Sequence, residues 1–224
     1  MDWNTPVDIY CERLAPGFWA EPFNAVSNLA FILAALWGAS LLVRERSSAT
    51  NLWLLVAMTA LIGVGSFVFH TFATVWASLA DTIPIWSFVL VFVIIAMRRY
   101  FGMKVLGILT VFGVLILVAV GFTLALPESE PGVPPLLNGS LQYAPALLAL
   151  LVFSWALWRT DHDAGIYVIA STLVFSLSLA FRTVDFNVCA AFPIGTHFLW
   201  HTLNGLMIAI LLTAIIRHGR PRNI

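Results

Sequence analysis

Seven apolar stretches, each close to twenty residues long, constrain this chain more than any other feature. A helix of about twenty apolar residues can cross the hydrocarbon core of a bilayer. The stretches occupy residues 22–43, 51–72, 79–97, 104–126, 140–158, 165–182 and 196–217. The joins between them are short and hold charge or turn residues, such as Arg44-Glu45-Arg46, Arg98-Arg99, residues 127–138 and residues 159–163. Strand-like alternation is absent, which argues against a transmembrane β-barrel. Only 10% of the 224 residues are charged and 61% are hydrophobic. A water-soluble domain carries about 25% charged residues, so lipid is the expected solvent. The predicted fold class is all-α, an integral membrane bundle of seven transmembrane helices. It forms one domain over residues 1–224, with residues 1–21 outside the membrane and the helices running from about 22 to 217.

Where the basic residues fall sets the expected orientation. An extracytoplasmic N-terminus puts Arg44, Arg46, Arg98, Arg99, Lys104, Arg159, Arg217, Arg220 and Arg222 at cytoplasmic helix ends, with Arg13 and Arg182 alone outside. That asymmetry obeys the positive-inside rule. The C-terminus is then cytoplasmic. The first twenty residues have no signal-peptide pattern, so the first span is expected to direct insertion. A formal net charge of zero offers nothing to nucleic acid. No residue pattern specifies an oligomeric state.

Under this topology three of the five histidines share one depth near the outer face. His70 ends the second span, and His197 and His201 open the seventh. An i, i+4 pair lies on one helix face. With a third imidazole from another helix it matches a catalytic zinc site, three protein ligands and an open fourth position. The competing reading is a set of interfacial histidines that hydrogen-bond locally. His162 and His218 fall in cytoplasmic segments and are given no role.

Other residues at this level support two readings each. Asp81 is a costly carboxylate near membrane depth and hence a functional candidate, or the N-cap of the third span with Pro84 in its first turn. Ser66 lies one turn before His70, yet with Gly63 and Gly65 it reads first as a small packing residue. Asp8, Glu12 and Glu21 offer oxygen ligands to a hard cation, although composition alone favours a solvated acidic segment. Cys11 and Cys189 both fall outside, where a disulfide can form; the alternative is two free thiols. Arg182 and Asp185 are expected to pair at the rim.

Taken in order, these residues resemble the alkaline ceramidases, part of a larger group of seven-helix membrane hydrolases that includes adiponectin- and progestin-type receptors. The resemblance runs through Asp8-Ile9-Tyr10-Cys11-Glu12 and Glu21-Pro22-Phe23-Asn24-Ala25-Val26-Ser27-Asn28. It continues through Gly65-Ser66-Phe67-Val68-Phe69-His70 and Asp81 to Arg182, Asp185 and Cys189, and ends at Gly195-Thr196-His197-Phe198-Leu199-Trp200-His201. It implies a zinc amidase that cleaves ceramide, or a related lipid amide or ester, to a fatty acid and a sphingoid-type amine. His70, His197 and His201 would hold zinc, Ser66 and Asp81 would act in catalysis, and Asp8, Glu12 and Glu21 would hold calcium. The chain departs from the eukaryotic pattern in having no Trp within residues 8–12, Thr82 after Asp81 and a short loop between Asp185 and His197, which suggests a bacterial member in the inner membrane, with its site facing the extracytoplasmic side. A lipid-binding receptor with a structural zinc is the alternative, and a fourth protein ligand would mark it. A transporter is disfavoured, because paired broken helices are absent.

Overall fold

The computed structural model describes residues 2–125 and 136–219. Eight α-helices follow one another among them: α1 (Pro22–Ser27), α2 (Leu29–Arg44), α3 (Thr50–Phe72), α4 (Val75–Phe101), α5 (Val105–Ala125), α6 (Ala144–Arg159), α7 (Gly165–Val188) and α8 (His197–His218). A 3₁₀ segment, Leu136–Tyr143, leads into α6 and contains a left-handed break at Leu137, Asn138 and Gly139. Six stretches among the described residues are long and apolar enough to cross a membrane, with α1 and α2 counted as one. The expected span at 104–126 is helical as α5, of which Val105–Leu115 registers as a shorter apolar helix.

The first expected span is divided at Asn28. Its side-chain amide donates to the carbonyls of Asn24 (2.8 Å) and Ala25 (3.4 Å). Such local bonds compete with the helical ladder and tighten the turn. The third expected span, 79–97, begins earlier than predicted, at Val75. Residues of the N-terminal segment supply the missing cap: Thr5 O accepts from Val75 N–H (3.1 Å) and Trp3 O from Trp76 N–H (3.1 Å). Asp81 is therefore not an N-cap. It sits inside α4, and Pro84 is an interior proline rather than a first-turn one.

That proline has a structural use. It has no N–H for the Ala80 carbonyl four residues earlier. The freed carbonyl points at Gly65 of α3, so closely that a Cβ there would collide with it. A second close approach joins Gly205 of α8 to Ala30 of α2, where a Cβ would meet the Ala30 Cβ at 2.6 Å. Small residues at such crossings let helix backbones pack closely in lipid, where apolar burial alone drives little association. Interhelical hydrogen bonds add to this, among them Trp37 Nε1 to Thr213 Oγ1 (2.9 Å) and Ser154 with Thr172 (2.8 Å).

The helices alternate in direction. Arg44, Arg98, Arg99, Arg159 and Arg217 lie in last turns of α2, α4, α6 and α8. Contacts tie this end together: Arg99 reaches Asn51 Oδ1 at the start of α3 (3.2 Å), and Arg217 reaches Glu45 (3.6 Å). His162 and His218 also lie here, against Tyr100 and Tyr167. The other three histidines lie at the opposite end.

Candidate metal centre and its surroundings

His70 sits in the last turn of α3, held in place by the chain reversal that follows. Ala73 adopts a left-handed conformation (φ 44°), and its N–H bonds Phe69 O at 2.7 Å. His197 is the first residue of α8. That helix start is fixed from α7: Asp185 Oδ1 accepts from the backbone N–H of Thr196 (2.7 Å) and His197 (3.0 Å). Asp185 Oδ2 accepts from Cys11 N–H (3.1 Å). A carboxylate at a helix N-terminus satisfies orphan donors and complements the helix dipole. Asp185 does not pair with Arg182, contrary to expectation. Arg182 instead donates to Asn138 O (2.6 Å) and Ser140 Oγ (3.1 Å) and lies over the rings of Tyr143 and Trp200.

The three imidazoles converge. Their ligand nitrogens lie within 4.8 Å of one another, and all three residues are buried. His70 Nε2 and His201 Nε2 are 3.1 Å apart. Two nitrogens on one tetrahedral zinc, each at about 2.0–2.1 Å, would be separated by roughly 3.3 Å. The outward nitrogens of these two rings are already engaged. His70 Nδ1 bonds Glu21 Oε2 (2.6 Å) and His201 Nδ1 bonds Ser27 Oγ (2.8 Å). Metal-binding histidines usually have such outer partners, which fix ring orientation. His197 Nδ1 is buried with no hydrogen-bond partner among the described residues. An all-imidazole donor set, two oriented rings and an orphaned nitrogen fit zinc. Among the described residues no fourth Cys, Asp or Glu joins the group.

Ser66 and Asp81 flank the histidines. Ser66 Oγ is 3.5 Å from His201 Nε2. The Asp81 carboxyl interacts with Ser66, and its Oδ1 is enclosed without a hydrogen-bond partner. An apolar cavity leads from this point into the bundle. Ser66 and His201 border one end, Phe88, Phe153 and Leu211 line its length, and Tyr143 and Trp200 form part of its wall.

Among the described residues Asp8, Glu12 and Glu21 do not come together as a group of metal ligands. Asp8 is exposed. Both Glu12 oxygens accept backbone N–H groups at the start of α1, from Phe23 (2.6 Å) and Asn24 (2.8 Å). Burial pushes the Glu12 carboxyl up, against the opposing pull of those two bonds. Glu21 is fully buried beside His70, and Arg13 Nε donates to its Oε1 at 2.5 Å. Burial alone would raise its pKa, but His70, Arg13 and Asn24 together hold it below the ordinary carboxylate range.

A Cys11–Cys189 disulfide, with a Cα–Cα distance of 5.3 Å, ties this segment to the end of α7. The bridge seats Tyr10 on the site, its ring stacked on His197 at 3.6 Å between centroids. Burial raises the Tyr10 phenol pKa and keeps it neutral. Tyr10, Ser27, the side chain of Arg13 and the capping role of Asp185 were not singled out from the sequence. The i, i+4 rule cannot reach them, because each acts across a long sequence separation or through the backbone.

The same arrangement of residues matches a known family. The ceramidase family model covers residues 10–222, nearly the whole chain. No curated protein matches the chain. The matched region contains every histidine of the cluster together with Ser66, Asp81 and both cysteines, and the chain therefore belongs to the ceramidase family, hydrolases that cut the amide bond of a lipid such as ceramide.

Proposed function

We propose that this protein is a zinc-dependent membrane amidase that releases a fatty acid from ceramide or a related N-acyl lipid. The observation that carries this reading is the convergence of His70, His197 and His201 beside an apolar cavity that His201 and Ser66 border. A zinc ion held there would supply Lewis acidity towards a carbonyl oxygen and towards water at neutral pH.

The chain's own residues divide the remaining work. Asp81, with one oxygen enclosed and unpaired, takes a proton from the attacking water and returns it to the departing nitrogen. Ser66 donates a hydrogen bond to the oxygen that becomes negative when water adds to the amide carbon. The apolar cavity takes the acyl chain and keeps bulk water away from the reacting bond. Its sides are formed partly by α4 and α6. Seven crossings, with α5 as the fourth, would place the N-terminus and the histidines on the extracytoplasmic side and the basic helix ends in the cytoplasm. In a bacterium this membrane is the inner one. The chain acts as one membrane-embedded domain over residues 1–224.

A three-ligand cluster favours an enzyme over a receptor with a closed structural site. The test combines metal analysis of purified protein with fatty-acid release from a panel of N-acyl lipids. Stoichiometric zinc, release by wild type and loss of release in Asp81→Asn are expected. Full activity in zinc-free protein would refute the reading.

A further inference from the structure

The family resemblance implies a divalent cation held by the N-terminal carboxylates, and the structure puts an arginine beside Glu21. Arg13 is nine-tenths buried. Its Nε bonds Glu21 Oε1 (2.5 Å), its Nη2 bonds the His70 carbonyl (3.2 Å), and its Nη1 reaches the Gly17 carbonyl (3.5 Å). One carboxylate and two backbone carbonyls form the kind of oxygen set that a hard cation collects. The guanidinium already occupies the space between them. The other acidic groups do not complete such a set: Glu12 caps α1, Glu21 Oε2 holds His70 Nδ1 and Asn24 Nδ2, and Asp8 is exposed to solvent. A divalent ion would have to displace a buried positive charge from its own ligands.

We propose that Arg13 serves as the built-in cation of this site: a positioning residue that fixes Glu21, and through it the His70 ring, so that no calcium ion is needed there. The inference rests on reading the histidines as a zinc centre. Arg13 touches both the carboxylate behind His70 and the backbone of His70 itself, so it sets the ring from two directions. A planar, permanently charged fork does this from three separate nitrogens, whereas a lysine presents its donors from a single point. Removing it would leave Glu21 buried without its counter-charge, a strongly unfavourable state. Glu21 would then take a proton or swing away, and His70 would lose its orienting acceptor.

The experiment uses zinc-loaded full-length protein in detergent, transferred into calcium-depleted buffer. For wild type, equilibrium dialysis with radiolabelled calcium should find no stoichiometric site, and saturating calcium chloride should change turnover by less than about twofold. Arg13→Met should weaken zinc binding about 10–100-fold, the usual cost of losing an outer-shell partner. It should lower kcat while leaving KM for the lipid within about twofold, because Arg13 lies behind His70 rather than in the apolar cavity. Arg13→Lys should recover part of the zinc affinity. A stoichiometric calcium site or calcium-dependent turnover in wild type would overturn the proposal. So would wild-type zinc affinity and kcat in Arg13→Met. If Arg13→Met does not fold, the wild-type calcium measurements and Arg13→Lys decide the matter. Absence of zinc from active wild type would instead refute the zinc reading, a separate result in the same experiment.

Discussion

Gly65→Ala tests whether the close crossing of α3 and α4 sets the catalytic geometry. The alanine Cβ would stand inside van der Waals distance of the Ala80 carbonyl oxygen, 2.9 Å from the Ala80 carbonyl carbon and 3.5 Å from the Asp81 Cα. Both obstructing groups are backbone, so no side-chain rotation relieves the clash. To reach an ordinary contact, α4 must retreat by at least about 1 Å, at an overpacking cost of about 1–3 kcal/mol. Asp81 follows Ala80 directly and moves with it, away from Ser66 on α3. A displacement of about 1 Å at a reacting centre can cost on the order of 100-fold in rate. His70, His197 and His201 lie on α3 and α8 and stay together, so zinc content should not change. The assay is fatty-acid release per mole of zinc-loaded protein. Gly113→Ala is the control, because nothing lies within 4 Å of its added carbon. In a helix this change is favourable by about 1 kcal/mol, and activity should be unaltered. Wild-type kcat in Gly65→Ala, or a loss matched by lost zinc, would refute the reasoning.

Four further outcomes are expected. His197→Ala should abolish both zinc binding and turnover, measured by metal analysis and product release. Asp81→Asn should keep its zinc and lose on the order of 10²–10⁴ in kcat, the usual contribution of a positioned acid–base group. Glu21→Gln keeps the shape but weakens the acceptor at His70 Nδ1, so zinc affinity should fall about 10–100-fold in competition with a chelator. Cys11→Ser should free the N-terminal segment and unseat Tyr10 from His197, so that His197 exchanges its ring environment faster by NMR and activity falls while the helix content by circular dichroism is kept.

The fold was largely legible because bilayer thickness imposes a length that can be counted. The histidine pair was legible for the same kind of reason, since His197 and His201 are related by helical geometry within one segment. Asp81 was misplaced because the cap of α4 is the backbone of Trp3 and Thr5, and backbone atoms leave no signature in a sequence. Arg182 and Asp185 were expected to pair because they are opposite charges three residues apart. In the structure each has better partners from a different element: backbone N–H groups for Asp185, and Asn138, Ser140 and aromatic faces for Arg182. Acidic composition did not distinguish Glu21 behind a histidine, Glu12 at a helix end and Asp8 in solvent. Those three fates depend on what lies nearby in space.

The bridge between Cys11 and Cys189 spans 178 positions of sequence. During synthesis the first of these residues emerges long before the second, and all of α2 to α7 must be threaded into the bilayer in between. The covalent tie of the early segment therefore waits for the end of the penultimate helix. Only once Cys189 has been made can the bridge close and hold Tyr10, the residue beside Cys11, against His197 of the helix that follows. The covalent closure of the centre therefore comes late in synthesis, after nearly the whole chain has been made.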